Sequence, residues 1–405
     1  MIIFAQMLRA YKYRIYPNQE QQVLINKNIG CCRWIYNWGL NKKIELYKSE
    51  KKHVSKFDLT REIKNLRVVE ETKWLSESNC QSLHISIENL DKAFVRFFKE
   101  KKGFPNFKSK HDSRQSCQYF DNVWVDFEKS VVRVPKMKPI KCVFSRLFDG
   151  DIKTTTITRT PTGKYLISIL VDIDVKESAL KKINPKTTIG IDTGIKTFLT
   201  LSNGTTFENN RYLKQSIGRL KILQRRASKK KKGSANRKKA NLKVALLHEK
   251  ITNQRHDYIH KITTKIVNEN QVSAICIEDL NVAGMMQNGN LAQALNDVSI
   301  GKFYEILGYK CKWKGINLLK IGRWEASSKT CSNCGHIKKD LTLADRNWTC
   351  EKCKTEHDRD LNAAINIKDF ALHPKNFTGA GSSEVSFEPL AVVKALKKKI
   401  KKTKV

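Results

Sequence analysis

From Cys331 to Cys353 the chain reads CSNCGHIKKDLTLADRNWTCEKC, two CxxC pairs separated by fifteen residues. No other stretch constrains the fold as tightly. Two tight knuckles, each presenting two thiolates, are how a zinc ribbon builds a tetrahedral site. Cys331, Cys334, Cys350 and Cys353 would fill the coordination of one Zn²⁺ and leave no position for water, so the ion is structural. It would hold together a segment too short to bury a core of its own. His336 and His357 lie nearby in sequence, but no fifth ligand is needed, and both read as non-ligands. The plainer alternative is four unrelated cysteines in a reduced protein. The other seven (Cys31, Cys32, Cys80, Cys117, Cys142, Cys276 and Cys311) show no pairing pattern. Cys276, in the apolar string AICIE, reads as a small buried hydrophobe. With no signal peptide and no apolar run long enough to span a bilayer, the chain reads as cytoplasmic.

The second knuckle runs directly into EHDRDLNAAINI, which places acid at the mouth of an apolar helix. This is unexpected in a chain of 405 residues with Lys+Arg 77 against Asp+Glu 39, a formal net charge of +38. Such an excess repels itself unless a polyanion covers it, and nucleic acid is the commonest polyanion. Three acids stand where apolar structure ends. Asp192 closes a β-type run between Gly190 and Gly194, and Glu278 ends AICIE. Asp360 opens a helix whose i+4 and i+7 positions, Ala364 and Ile367, face a core. Each has a bland reading: a turn residue, a solvated strand end, and a favourable charge at a helix N-terminus. Together they make a hard-cation site, in which two Mg²⁺ would balance the charge while clamping a phosphodiester. Asp358 reads either as a helix cap or as a fourth acid.

Along the rest of the chain, YKYRIY has the period of a strand, and Asn18 with Gln21 forms a capping-box signature opening a helical block to about residue 101. Short β-type runs dominate residues 123–175, with a hairpin around Pro161 and Gly163. The helical block is therefore framed by strands, as if inserted into a small β domain. A strand, a turn, a second strand, an Asn203-Gly204 turn and a third strand follow. Then come a long basic helical stretch broken near Gly233, the AICIE strand, a helix through SIGKFYEILGYKCKWKG and the strand INLLKIG.

The motifs GIDTGIKTF, ICIEDLNVAGM, SSKTCSNCGHIKKDLTLADRNWTCEKC and HDRDLNAAINI, in that order, resemble the split RuvC motifs of the TnpB family. These are transposon-encoded, RNA-guided DNA endonucleases related to type V CRISPR effectors. LRAYKYRIYPNQEQ and GFPNFKSK resemble that family too, so the likeness covers nearly the whole chain. Thr193 stands where the family often has an apolar residue. The resemblance implies a multidomain α+β or α/β protein. A wedge-like β-barrel would occupy residues 1–17 and 121–180, interrupted by a helical recognition lobe at 18–120. An RNase H-like (RuvC) nuclease domain would occupy 186–325 and 357–372, with a zinc ribbon inserted at 326–356 and a basic tail at 373–405.

It further implies that Asp192, Glu278 and Asp360 are the catalytic, magnesium-binding acids. Implied partners are a transposon-derived guide RNA and double-stranded target DNA with a short flanking motif, in a prokaryotic cytoplasm or nucleoid. Phosphate contacts would fall on Lys229, Lys230, Lys231, Lys232, Arg237, Lys238 and Lys239, unless these form a solvated helix face. Contacts to the flanking duplex would fall on Lys108, Ser109, Lys110 and Arg114. Arg359 would touch the scissile phosphate or merely the backbone. Tyr11, Tyr13, Trp34, Tyr36 and Trp38 read mostly as packing rather than as base-stacking residues. A miniature CRISPR effector, a catalytically inactive RNA-guided regulator and a transposase-associated DNA-binding protein are the readings left beside the endonuclease.

Overall fold

The computed structural model describes residues 7–173, 178–269, 271–342 and 344–373. The basic tail expected from residue 373 lies, apart from His373, outside the described residues. The chain divides into two compact units, Met1–Lys176 and Glu177–Val405, and its described part is α+β.

In the first unit a strand β1 (Met7–Tyr16) leads into α1 (Gln19–Glu50), α2 (Lys56–Leu66) and α3 (Cys80–Glu100). Six strands follow: β2 (Gln115–Tyr119), β3 (Trp124–Asp126), β4 (Val131–Arg133), β5 (Ile140–Val143), β6 (Asp151–Arg159) and β7 (Tyr165–Ile173). The capping box opens α1: Asn18 Oδ1 accepts from the Gln21 N–H at 2.8 Å, and the Asn18 N–H donates to Gln21 Oε1 at 2.9 Å. Alternation in YLISILVDI buries every second residue of β7, the period of a strand with one face in a core. The seven strands form one sheet in the order β2-β6-β7-β1-β5-β4-β3. Because β1 lies between β7 and β5, the helical block is an excursion from the centre of the sheet to β2 at its edge. Two expectations need correction. β2 joins this sheet from within residues 18–120, because alternate residues Cys117 and Tyr119 turn inward and are buried. The strand order also ends at β2 and β3, with no pairing between them among the described residues, so the sheet is not a closed barrel.

The second unit holds a five-stranded sheet in the order β10-β9-β8-β11-β12. Its elements in chain order begin with β8 (Thr188–Thr193), β9 (Thr197–Leu201), β10 (Thr206–Glu208), α4 (Tyr212–Ser228), α5 (Ala235–Glu269) and β11 (Ala274–Glu278). They continue with α6 (Val282–Met285), α7 (Gly289–Val298), α8 (Ile300–Lys314), β12 (Asn317–Ile321), β13 (Asn347–Thr349), β14 (Glu356–Asp358) and α9 (Arg359–Leu372). Strands β8, β11 and β12 pair in parallel, whereas β9 pairs antiparallel with both β8 and β10. Alternation along β11 sends Ile275 and Ile277 to one face, where they pack with Ile259, Ile262, Phe303 and Ile306 from α5 and α8. Ala274 and Cys276 turn to the other face and pack with Ile367, Phe370 and Ala371 of α9. The sheet is thus covered on both sides, as parallel strands require.

Candidate functional site

Asp192 and Glu278 are placed by strand register. Ile191 of β8 pairs with Ile277 of β11 in parallel, so the next residues, Asp192 and Glu278, leave the sheet side by side. Two-residue alternation puts Asp192 on the face of Gly190, and Glu278 on the face of Cys276. Both acids therefore point to the α9 side.

Gly190 sets how close α9 comes. A Cβ there would sit 2.0 Å from the Ala364 carbonyl oxygen and 2.8 Å from the Lys368 amide nitrogen, so only glycine admits the helix. From that crossing, two residues along β8 advance about 6.6 Å to Asp192. Four residues back along α9 advance about 6 Å to Asp360. The strand and helix repeats thus bring Asp360 level with Asp192. Asp358 is the N-cap of α9, accepting from the Leu361 N–H at 2.8 Å, so of its two readings the cap has the contact.

The electrostatics register this convergence. Burial, then the charges of Glu278 and Asp360, push the Asp192 carboxyl up to about 8, partly opposed by Arg359. Burial also raises Glu278, opposed by the Ser327 hydroxyl, which donates to Glu278 Oε1 at 2.5 Å. Asp360 is held by Arg359 Nη2 at 3.2 Å and by Arg346 Nη1 at 3.4 Å. Tyr304 forms a wall: its hydroxyl meets Thr193 Oγ1 at 3.1 Å, and burial with the charges of Glu278 and Asp192 raises its pKa.

The donor set is three carboxylates with hydroxyl and guanidinium neighbours and no sulfur, which suits a hard divalent cation. A cation would also offset the burial and repulsion that raise the Asp192 carboxyl. Among the described residues, however, the only group whose ligand atoms all lie within 4.8 Å of one another is the four cysteines. The carboxylates share one space without closing a ligand shell.

The cysteines meet that test. Cys331 and Cys353 sulfurs lie 3.6 Å apart, as do those of Cys334 and Cys350. A tetrahedron with about 2.3 Å metal–sulfur bonds has edges of about 3.8 Å. All four are free thiols, so the arrangement suits Zn²⁺ and is too open for disulfides. His357 Nε2 lies 3.0 Å from Cys331 Sγ, and its ring packs on Trp348 with centroids 4.7 Å apart, but it is not in the converging group. The knuckles are sewn to α9 by two buried asparagines. Asn362 Nδ2 donates to Thr330 O at 2.8 Å, and its Oδ1 accepts from the Ser332 N–H at 3.0 Å. Asn366 Nδ2 donates to Ser327 O at 2.7 Å and to Thr330 O at 2.6 Å. Ser327 therefore links the knuckle to Glu278.

The basic candidates divide. Lys229 to Lys232, Lys238 and Lys239 are exposed around the break between α4 and α5, while Arg237 is tied back by donating to Lys230 O at 3.0 Å. Lys110 and Arg114 are exposed. Lys108 is exposed too, with its ammonium 3.8 Å from the centre of the Tyr36 ring. Tyr13 and Tyr36 are buried, as packing residues should be. Sequence reasoning missed Ser327, Tyr304 and Arg346. Ser327 stands four residues before Cys331 in SSKTC, whereas the other two carry no local signal.

Residues 168–289 match a family profile described as "Probable transposase". Residues 301–367 match "Cas12f1-like, TNB domain", and residues 7–52 match "Helix-turn-helix domain". That last stretch here forms one strand and one long helix. The chain is 36% identical over 366 residues to a "Putative RNA-guided DNA endonuclease" of Streptomyces pristinaespiralis, covering 89% of each chain. It is 30% identical to the "Putative RNA-guided DNA endonuclease InsQ" of Escherichia coli (strain K12), covering 89% of this chain and 91% of that one. A solved Cas12f1-sgRNA-target DNA complex shares the fold at TM-score 0.53 and 16% identity, covering 90% of this chain and 99% of that chain.

Proposed function

Because the chain belongs to the TnpB family, we propose that it is an RNA-guided, Mg²⁺-dependent endonuclease that hydrolyses phosphodiester bonds of target DNA. The five-stranded sheet with three parallel strands is read as the RNase H-like core. The observation that carries the reading is the meeting of Asp192, Glu278 and Asp360 from two strand ends and a helix start, with Asp192 pushed up to about 8 by burial first and then by the charges of the other two.

Asp192, Glu278 and Asp360 would hold the magnesium. When bound, the ion supplies Lewis-acid polarisation of the phosphate and lowers the pKa of water. The chain's own residues do the rest. Ser327 fixes the rotamer of Glu278, and Arg346 with Arg359 holds Asp360. Zinc on the four cysteines keeps the knuckle, and hence Ser327, in place.

Guide RNA paired with one DNA strand would read the sequence, while the protein binds backbone and a short flanking motif. The lysines between α4 and α5 suit the phosphates of RNA or DNA, and Lys110 and Arg114 suit the flanking duplex. The test is to purify the protein with its RNA, sequence that RNA, and offer a matched duplex with Mg²⁺. The wild type should cut, whereas Asp192→Ala, Glu278→Ala and Asp360→Ala should each bind RNA and target without cutting. Cutting by any well-folded one of these removes that residue from the site. The "Probable transposase" profile favours strand joining as a second reading. Transfer of a labelled transposon end onto target DNA would support it, and simple double-strand breaks would count against it.

A further inference from the structure

Strand β12 leaves the sheet level with a site carboxylate, since Ile321 pairs with Glu278 across β11. The chain then turns: the Glu325 N–H donates to Gly322 O at 3.3 Å, and the Ser327 N–H to Glu325 O at 2.9 Å. At one foot Arg323 donates to Asp279, from Nε to the backbone oxygen at 3.3 Å and from Nη2 to Oδ2 at 3.0 Å. At the other the Ser327 hydroxyl returns to Glu278. The turn is therefore pinned at both ends to Glu278 and its neighbour.

On the crown of this turn Trp324 is 82% exposed, the highest value for any large hydrophobic side chain among the described residues. Among the described residues Phe107, Phe120 and Trp124 are also exposed without a ring contact, but less so, at 54%, 55% and 40%, and the next most exposed ring has company. Phe98, 71% exposed, lies against Phe97 and Phe94 with centroids 5.0 and 6.3 Å away. Trp324 has no ring contact or hydrogen bond among the described residues. An indole offers roughly 150–250 Å² for burial, and here that area, on a rigid mount, stabilises nothing within the fold.

We propose that Trp324 is a stacking platform for one unpaired base of the nucleic-acid strand whose phosphate enters the carboxylate site. The inference rests on the nuclease reading for the identity of that strand. Charge favours the occupant: Lys320, Arg323 and Lys329 flank the turn against Asp279, which pairs with the first two, and Glu325, in a chain of net charge +38 that favours a polyanion. Geometry selects the single-stranded form, because bases inside a duplex already stack on each other and leave no face for an indole. Trp324 is three residues beyond the partner of Glu278, at most about 10 Å along the chain, so the base would lie close to the phosphate held by the carboxylates. Every base has a π-face, so the platform would grip without reading sequence.

The test uses the full-length protein as purified with its RNA, and a short oligothymidylate carrying one 2-aminopurine moved along the strand. Fluorescence reports stacking and anisotropy reports affinity, both without Mg²⁺ so that nothing is cut. The wild type should quench the probe at one position. Trp324→Ala should lose that quench and bind the strand on the order of tenfold more weakly, while Trp324→Phe keeps most of both. An unchanged quench and affinity in Trp324→Ala, or no strand binding by the wild type, overturns the platform. Cleavage with Mg²⁺ is read separately. A quench lost in Trp324→Ala without cutting by the wild type supports the platform and removes the nuclease reading. Cutting with an unaltered quench removes the platform alone.

Discussion

The cysteine knuckle and the carboxylate cluster are both groups of ligand-type side chains joined by α9, yet they are built in opposite ways. The knuckle takes four sulfurs from a single run of chain and closes them to tetrahedral distances without help. The cluster draws Asp192, Glu278 and Asp360 from three distant segments, and its oxygens stay apart, propped by Ser327, Arg346 and Arg359. Thiols can approach one another as neutral groups, whereas carboxylates repel until a cation arrives. That is the difference expected between a site that serves the fold and one proposed to serve chemistry.

Breaking the knuckle should have the largest effect. Structural Zn²⁺ contributes roughly 10 kcal/mol or more in small zinc domains, so Cys350→Ser should unfold residues 326–356 and abolish cleavage. Limited proteolysis and a zinc assay would show both losses, and an intact, active protein without zinc would erase the contrast. Breaking the cluster should spare the fold: Asp192→Asn should cut only at background while melting no lower than the wild type. A matching loss of stability would make Asp192 a structural residue.

The link between the sites sharpens the comparison. Ser327→Ala removes a hydrogen bond to a charged group, worth about 1.5–3 kcal/mol, so cutting should fall on the order of tenfold at saturating Mg²⁺. Ser327→Thr keeps the hydroxyl and should restore most of the rate. Equal loss in both variants would mean that packing, not the bond, matters there.

The last effect is one of pH. The folded state raises the Asp192 carboxyl from 3.8 to about 8, so it holds a proton that the unfolded chain releases. That stability is fully present below about pH 4 and is lost as pH rises to about 8. In Mg²⁺-free buffer the wild type should lose thermal stability over this range relative to Asp192→Asn, and saturating Mg²⁺ should cancel the difference. A flat difference between the two proteins would contradict the clustering.

Legibility in the sequence follows the same division. The zinc site was readable because spacing alone determines a knuckle. The acids were readable as charges at the ends of apolar runs, and Gly190 marked a close approach without naming Ala364 as the partner. Their supports were hidden because they are tertiary: Ser327 lies 49 residues from Glu278, and Tyr304 lies 111 from Thr193. Strand β2 was missed for a related reason. QSCQY has too few apolar residues to announce a strand, and pairing with β6 decides the matter. The Tyr36 ring beneath Lys108 was hidden too, because composition does not reveal it.

The most direct measurement is Mn²⁺ titration of the zinc-loaded protein, followed by electron paramagnetic resonance, in the wild type and the Asp192→Ala, Glu278→Ala and Asp360→Ala variants. The wild type should show Mn²⁺ binding that Mg²⁺ displaces and that each folded variant loses. Undiminished binding in any of the three would mean that the carboxylates do not hold the metal together.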